Sequence, residues 1–303
     1  MERVLWLKSI KSFCNKNEQF WGYVFIAPQF IGILAFILFP ALASLYISFT
    51  EWDFINMPEW VGFDNYKKVL SDPVTLKVIK NTILFIMGNL PLNLIISLLL
   101  ALALSNSIKG FAFYRTAFFM PTITSSVAVS LVWLWLYNPD MGLINVALSN
   151  IGIKGPGWIN DTTWALPSII IMTVWQGAGY NMVIFIAGIK SIPETYYEAA
   201  IIDGAGKWDC FRKITLPMLT PTIFFIVTMM LIGGFQVFNE AYMMTRGGPA
   251  DATNVIVLQI YNLAFQFFKM GPAAVLSWML FVIILVVTLV QFKYSRKWVN
   301  YDV

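Results

Sequence analysis

The sequence has no histidine, and only 12% of its 303 residues are charged. A soluble domain averages about 25% charged residues, so this composition disfavours a soluble globular protein. Histidine is the commonest metal ligand and the side chain that titrates near neutral pH, so its absence argues against a metal centre and against histidine-based catalysis. The two cysteines, Cys14 and Cys210, fit no metal or redox motif. The sequence therefore predicts no catalytic residue, no metal site and no cofactor bound by the chain itself.

The chain is instead rich in long apolar runs, since 58% of its residues are hydrophobic. A helix needs about 20 mostly apolar residues to cross a bilayer core about 30 Å thick, and six runs without a charged residue are long enough. We predict an all-α membrane protein whose single transmembrane domain, residues 21–292, has one helix in each run. The predicted spans are residues 22–49, 81–105, 116–137, 164–188, 216–239 and 271–292.

The distribution of positive charge predicts the orientation of these spans. With six spans, both ends of the chain lie on the side that carries thirteen of the twenty Lys and Arg residues. Lys and Arg mark the cytoplasmic side, so we expect residues 1–20 and 293–303 to be cytoplasmic segments. A further charge-free run, residues 252–268, is either a seventh span or a helix at the membrane surface. A seventh span would place the basic C-terminal segment outside, so six spans are favoured.

The predicted connections differ in composition. Residues 51–80 hold five carboxylates, and we expect a small folded segment there on the extracytoplasmic side. Charged residues are also concentrated in the cytoplasmic loop 190–217, which contains YYEAAIIDGAGKWDCFRKITLP. Pro193 suits the first turn of a helix and Gly204 its end, so a helix–turn–helix lying across the cytoplasmic face is predicted. The alternative is a solvated loop that serves only to set the topology.

This loop resembles the E-A-A loop of ATP-binding-cassette (ABC) importer permeases, whose pattern is E-A-A-x-x-D-G-A followed by an aromatic residue and I-x-L-P. The matching positions are Glu198, Ala199, Ala200, Asp203, Gly204, Ala205, Phe211, Ile214, Leu216 and Pro217. The segments SIPETYYEAA, FQVFNEAYMMTRGGPADAT and YNPDMGLIN are similar to those of the carbohydrate branch of the family. The resemblance implies a type I importer permease fold in the inner membrane of a bacterium, with a cytoplasmic coupling helix.

The same resemblance implies how the chain works and with what partners. Glu198, Ala199, Ala200, Asp203, Gly204 and Ala205 would form the surface that docks on an ATPase subunit. Two ATPase subunits would bind ATP and magnesium, a second related permease would complete the path, and an extracytoplasmic binding protein would deliver the sugar. The sequence Gly204-Ala205-Gly206-Lys207-Trp208 lacks the first glycine and the Ser/Thr of a phosphate loop, so this chain is expected to be a transport subunit and not an enzyme. Nothing in it points to a nucleic-acid partner.

Uncharged polar and aromatic side chains occur within the predicted fourth and fifth spans. They are Trp175, Gln176, Tyr180, Asn181, Phe235, Gln236, Phe238 and Asn239. Amides and ring faces suit a neutral sugar, so these residues are candidates for the substrate path. The alternative is that they join helices to one another, as Asn and Gln often do in membranes. An ion-coupled transporter of a neutral solute is the other functional class; it is disfavoured because no charged residue lies in the six runs.

Overall fold

The computed structural model describes residues 20–105 and 110–300. Almost all of the predicted N-terminal segment 1–20, and the last three residues of the segment 293–303, lie outside these ranges. A two-stranded antiparallel hairpin is formed by β1 (Thr50–Glu51) and β2 (Glu59–Trp60). The helices are α1 (Phe20–Ser48), α2 (Asp64–Ser71), α3 (Pro73–Ser105), α4 (Phe111–Ile123), α5 (Ser126–Leu136), α6 (Leu143–Asn150), α7 (Ala165–Ser191), α8 (Glu194–Ile202), α9 (Lys207–Met218), α10 (Thr220–Phe235), α11 (Asn239–Thr245), α12 (Ile256–Gln266) and α13 (Met270–Ser295).

Six membrane crossings can be formed by the helices of the described ranges. Four helices, α1, α3, α7 and α13, are each long and apolar enough to span a bilayer. Two bent pairs supply the remaining crossings, α4 with α5 at 97° and α9 with α10 at 60°. This confirms the predicted six-span helical fold.

The two bends divide each of the single helices expected over 116–137 and 216–239 into two. Between α4 and α5 the backbone is extended at Thr124 and Ser125, with ψ of 139° and 130°, so the helical hydrogen bonds are interrupted there. The second bend falls at Leu219, two residues before Pro221. Proline cannot donate a backbone hydrogen bond and its ring crowds the carbonyl four residues earlier, which accounts for the bend.

Helix α12 answers the question of a seventh span. Its eleven residues rise only about 16 Å at 1.5 Å per residue, too little to cross a bilayer. Asn254, just before the helix, and Gln259 within it are both buried, and the Asn254 Nδ2 donates to Gln259 Oε1 at 2.9 Å. These two polar side chains therefore face the interior of the protein.

Helix α7 is the centre of the bundle. It packs against α3 along its length and against α4 and α10, and 56% of its most apolar window is buried. Gly179 permits the contact with α4, because a Cβ at this position would overlap the carbonyl oxygen of Phe118. Outer helix α1 differs, since none of the residues in its most apolar 18-residue window is buried within the described chain.

The connection between the first two spans is folded and fixed to α13. Asn65 in α2 is buried and its Nδ2 donates to the carbonyls of Ser48 and Thr50, at 3.1 and 2.8 Å. The Met270 amide at the start of α13 donates to the carbonyl of Trp52 at 3.0 Å. These bonds hold the hairpin and α2 together as one unit. The unit lies at the end of the bundle where α13 begins.

Candidate functional site

The predicted coupling segment forms a short helix with a defined end. Helix α8 begins after Pro193, and Glu194 lies in its first turn, where negative charge is favourable. At its other end the Ala205 amide donates to the Ala200 carbonyl at 2.9 Å, and the Gly204 amide donates to the Ile201 carbonyl at 3.0 Å. These two bonds form a Schellman motif, which requires a left-handed residue, and Gly204 supplies it with φ +80°.

The six predicted docking residues lie together on this segment and face away from the bundle. Four of them are exposed and the alanines at 200 and 205 are half-buried. Large apolar side chains are exposed beside them, namely Ile201, Ile202 at 86% exposure, and Trp208 at 70%. Exposed apolar residues rimmed by polar ones mark interaction surfaces. We call Glu198–Ala205 together with Trp208 the α8 surface.

The other side of α8 is fixed to the membrane helices. Ile192, just before α8, is buried in an apolar cluster with Phe185 of α7 and Leu219 of the α9–α10 bend. The hydroxyl of Tyr197 lies 2.9 Å from that of Thr215 in α9. Neither Tyr197 nor Thr215 was predicted as a functional residue, because no sequence signal pairs two positions so far apart. Helix α8 is thereby attached to both α7 and α9.

Helix α9 carries a local ion pair on its outer side. The Nζ of Lys213 lies 2.9 Å from Asp209 Oδ1, one turn away. This hydrogen bond lowers the pKa of the Asp209 carboxyl. Because the Lys213 side chain is 73% exposed and that of Asp209 is 47% exposed, the ion pair is screened and contributes little to stability.

Two of the candidate path residues in α7 join helices. Asn181 is buried, and its Nδ2 donates to Asn93 Oδ1 in α3 at 2.8 Å. Gln176 contacts the break between α4 and α5: its side-chain Nε2 donates to the Thr124 carbonyl at 3.3 Å, and its backbone carbonyl accepts from Thr122 Oγ1 at 2.8 Å. For these two residues the geometry favours the helix-joining role that the sequence left open.

The other two candidates in α7 are exposed on the described chain. Trp175 is 48% exposed and Tyr180 is 50% exposed. The indole ring of Trp175 contacts that of Trp133 in α5, with centroids 5.6 Å apart. These two aromatic side chains therefore present ring faces at the surface of the bundle, where a ligand or a neighbouring subunit can reach them.

The candidates around α10 also divide into residues packed within the protein and residues exposed at its surface. Phe235 is buried in the core, and Phe238 stacks on Tyr242 with ring centroids 5.3 Å apart. Gln236 and Asn239 are exposed where the chain passes from α10 to α11. Of the eight candidates, the four whose side chains remain available to a ligand are Trp175, Tyr180, Gln236 and Asn239.

A cleft of about 810 Å³ lies among the hairpin, α2 and the segment that precedes α13. Its walls include the carboxylates of Glu51, Glu59 and Asp72 and the aromatic rings of Trp52 and Phe268. Nearby apolar side chains of the hairpin loop are almost fully exposed, with Ile55 at 88% and Met57 at 89%. This end of the bundle thus has a second exposed apolar and acidic surface, distant from α8. No cluster of three or more metal-ligating side chains occurs within residues 20–105 and 110–300.

A mostly helical membrane bundle with a short exposed helix between its fourth and fifth crossings is the architecture of an ABC importer permease. Residues 93–299 match the family described as "Binding-protein-dependent transport system inner membrane component". The chain belongs to this family.

Curated relatives and solved structures agree with this assignment. The chain is 41% identical to the probable ABC transporter permease protein YesP of Bacillus subtilis (strain 168), over 96% of each chain. It is 35% identical to the lactose transport system permease protein LacF of Rhizobium radiobacter, over 95% of this chain and 97% of that protein. A bacterial ABC transporter that imports the acidic polysaccharide alginate has a chain of the same fold, with a TM-score of 0.84, 26% identity and coverage of 95% of this chain and 99% of that one.

A second structure of the alginate transporter, in complex with an alginate pentasaccharide-bound periplasmic protein, matches with a TM-score of 0.84 and 25% identity, over 94% of this chain and 97% of that one. The chain is therefore a membrane-spanning permease component of a binding-protein-dependent ABC transporter. The ion-coupled carrier considered from the sequence is not supported.

Proposed function

We propose that this chain is one permease subunit of an importer that takes up a neutral sugar or oligosaccharide. The observation that carries the proposal is the α8 surface: a glycine-ended helix with the E-A-A sequence, exposed on one side and bonded to the spans on the other. Rigid-body movement of a partner can reach the spans only through such a fixed contact. In this scheme ATP and magnesium are bound and ATP is hydrolysed by two separate ATPase subunits, and the α8 surface docks on one of them.

The remaining partners are assigned to other surfaces. The exposed apolar side chains of α1 suit lipid and a second, homologous permease subunit. Because α8 and the cleft lie at different ends of the bundle, a cytoplasmic α8 implies that the cleft faces outward. We therefore assign the cleft and its exposed apolar loop to the sugar-loaded binding protein. Both ends of the chain are then cytoplasmic.

The sugar path is assigned to the exposed members of the candidate set. Trp175 and Tyr180 offer ring faces, and Gln236 and Asn239 offer amides that can exchange hydrogen bonds with hydroxyls. The relative named for lactose and the transporter of the acidic polysaccharide alginate are both carbohydrate systems, which supports a carbohydrate here. That the sugar is neutral rests on the amides and ring faces alone. Asn181 and Gln176 are assigned to positioning, because their amides are engaged between helices.

The docking proposal is tested with two glycines of nearly equal conformation. Gly204 and Gly152 have φ of +80° and +78°, and a Cβ on either meets nothing within 4 Å. An aspartate therefore strains both positions similarly, but only Gly204 lies on the α8 surface. We expect Gly204→Asp to reduce co-purification of the ATPase subunit or to uncouple ATP hydrolysis from import, while Gly152→Asp does neither. Normal assembly and import in Gly204→Asp would contradict the docking role.

The substrate class is tested on the assembled transporter in proteoliposomes. ATP hydrolysis is measured with the binding protein and a panel of neutral mono- and oligosaccharides, with amino acids as the comparison panel. We expect stimulation by at least one sugar and by no amino acid. Uptake that depends on a sodium or proton gradient and proceeds without ATP would instead support an ion-coupled carrier.

A further inference from the structure

The bend between α9 and α10 lies between the contact with α8 and the rest of the fifth span. Pro221 leaves the carbonyl of Pro217, four residues earlier, without its helical donor. The Thr220 hydroxyl replaces that donor, with its Oγ1 2.7 Å from the Pro217 carbonyl oxygen. One side chain therefore closes the gap in the hydrogen bonding of the bent helix.

The same hydroxyl also receives a bond from a distant part of the chain. The backbone amide of Asn300 donates to Thr220 Oγ1 at 2.9 Å. A hydroxyl can donate once and accept from other groups, so Thr220 makes both bonds together. Residues 296–300, which follow α13, are thereby attached to the bend; we call them the tail segment.

Apolar packing holds the tail segment against the same place. Val299 is buried, at 8% exposure. The ring of Phe224, one turn after Thr220, contacts the edge of Phe292 at 5.1 Å and the indole of Trp298 at 6.2 Å between centroids. The bond to Thr220 is thus one part of a contact surface that joins the bend to the end of the sixth span.

A second polar link joins the fifth and sixth spans deeper in the bundle. Gln291 of α13 donates from Nε2 to Thr228 Oγ1 in α10 at 2.8 Å. The tail segment contacts α10 at Thr220, before Phe224, and Gln291 contacts it at Thr228, after Phe224. The first two turns of α10 are therefore held to α13 and the tail segment on both sides of Phe224.

We propose that Thr220 is a positioning residue of the transport cycle, which fixes the α9–α10 bend and makes the fifth and sixth spans move together when α8 is displaced. This inference rests on the proposed function, because it assumes that α8 receives the movement of an ATPase. It assigns the tail segment a coupling role that the E-A-A sequence does not contain. Without the bonds of Thr220, displacement of α8 is absorbed at the bend.

The test removes each bond from a different side. Thr220→Val deletes the hydroxyl, and Thr220→Ser restores it. Asn300→Pro deletes the donating amide, whereas Asn300→Ala keeps it because the bond comes from the backbone. The conservative variants Thr220→Ser and Asn300→Ala are therefore matched controls for the disruptive ones.

The readout is the distance between spin labels on the two sides of the bend, at Arg212→Cys and Met229→Cys, with the native cysteines replaced by serine. It is recorded on the assembled transporter with Mg-ATP and with Mg-ATP plus orthovanadate. We expect one narrow distance distribution in the parent and in the two controls. Thr220→Val and Asn300→Pro should give a broadened distribution, since losing one hydrogen bond shifts the ratio of fixed to relaxed bends roughly two- to tenfold. Import per ATP hydrolysed, measured with the panel sugar of greatest stimulation, should fall by a similar factor.

Unchanged distributions in both disruptive variants would overturn the proposal. If Thr220→Val does not assemble, Asn300→Pro alone decides the matter, because it alters no residue of the bend. The result also separates this inference from the proposed function. Loss of ATPase binding in Gly204→Asp together with parental behaviour of Thr220→Val and Asn300→Pro would remove the role of Thr220 and leave α8 docking intact. Retention of the ATPase in Gly204→Asp would contradict the docking itself.

Discussion

The hydroxyls of Tyr197 and Thr215 lie 2.9 Å apart, and they join the exposed helix α8 to the segment that leads into the fifth span. Ile192 anchors the start of the same helix in an apolar cluster. Helix α8 is therefore held at its beginning and along one side, while its other side stays open. This is the arrangement required of an element that must receive a force and pass it on without unfolding.

Removal of the Tyr197 hydroxyl should weaken this link without changing the exposed surface. For Tyr197→Phe we expect the free energy of unfolding to fall by about 0.5–1.5 kcal/mol, the net contribution of one hydrogen bond. We also expect a reduced rate of import, with normal binding of the ATPase subunit. Tyr196→Phe is the matched control, because Tyr196 is exposed. Equal import rates in the two variants would show that the hydrogen bond between Tyr197 and Thr215 does not couple α8 to the fifth span. The rates are compared in proteoliposomes containing equal amounts of transporter.

Replacement of Gly179 should prevent close packing of α4 on α7. A Cβ there overlaps the backbone of Phe118, whereas a Cβ on Gly233 in α10 meets nothing within 4 Å. We expect Gly179→Ala to lower the melting temperature of the purified transporter or to abolish its assembly. Gly233→Ala should be neutral or slightly stabilising, because alanine is the better helix former by about 1 kcal/mol. Thermal unfolding in detergent distinguishes the two, and equal melting temperatures would contradict the packing of α4 on α7.

The two kinds of polar residue in the candidate path should behave differently when truncated. Gln236→Ala and Asn239→Ala remove exposed amides, so we expect normal amounts of transporter with a lower affinity for the transported sugar. Asn181→Ala removes the bond to Asn93, and it should reduce thermal stability by about 0.6–1.7 kcal/mol. Uptake kinetics and melting curves on the same preparations separate the two effects. Unchanged uptake in both Gln236→Ala and Asn239→Ala would exclude these residues from the path.

The bend before the fifth span should depend on its proline. Pro221→Ala supplies an amide that can donate to the Pro217 carbonyl, so we expect the 60° bend to decrease and the Arg212–Met229 label distance to lengthen. Pro121→Ala is the comparison, since Pro121 lies inside α4 and away from this bend. An unchanged label distance in Pro221→Ala would mean that tertiary contacts alone set the angle.

The number of crossings and the place of α8 could be predicted because both depend on local sequence. Uninterrupted apolar runs define the spans, and a glycine after a short helical segment defines its end, as Gly204 does. The bends could not be placed from the sequence, because Pro91 also lies within a predicted span and yet α3 continues through it. Whether a proline bends a helix depends on which neighbouring groups take up the freed carbonyl.

The division of the candidate path residues also lay beyond the sequence. Asn181 and Asn239 are the same residue type within predicted spans, but only Asn181 has an amide partner opposite it, on another helix 88 positions away. Likewise, Thr220 links α10 to the tail segment only because the fold brings the backbone amide of Asn300 against its hydroxyl. Such pairings depend on how the spans pack together, and a single sequence contains no local signal for them.

The central claim, that α8 faces the cytoplasm and is covered by an ATPase subunit, is tested most directly by labelling one cysteine. Ile202→Cys, at a position that is 86% exposed, is placed in a chain whose native cysteines are replaced by serine, and Ile55→Cys serves as the control at the opposite end. A membrane-impermeant maleimide is applied to right-side-out and inverted vesicles, with and without the ATPase subunit. The account predicts that position 202 is labelled only in inverted vesicles and is protected by the ATPase, while position 55 is labelled only in right-side-out vesicles. Labelling of position 202 from the outside, or labelling that the ATPase does not reduce, would contradict it.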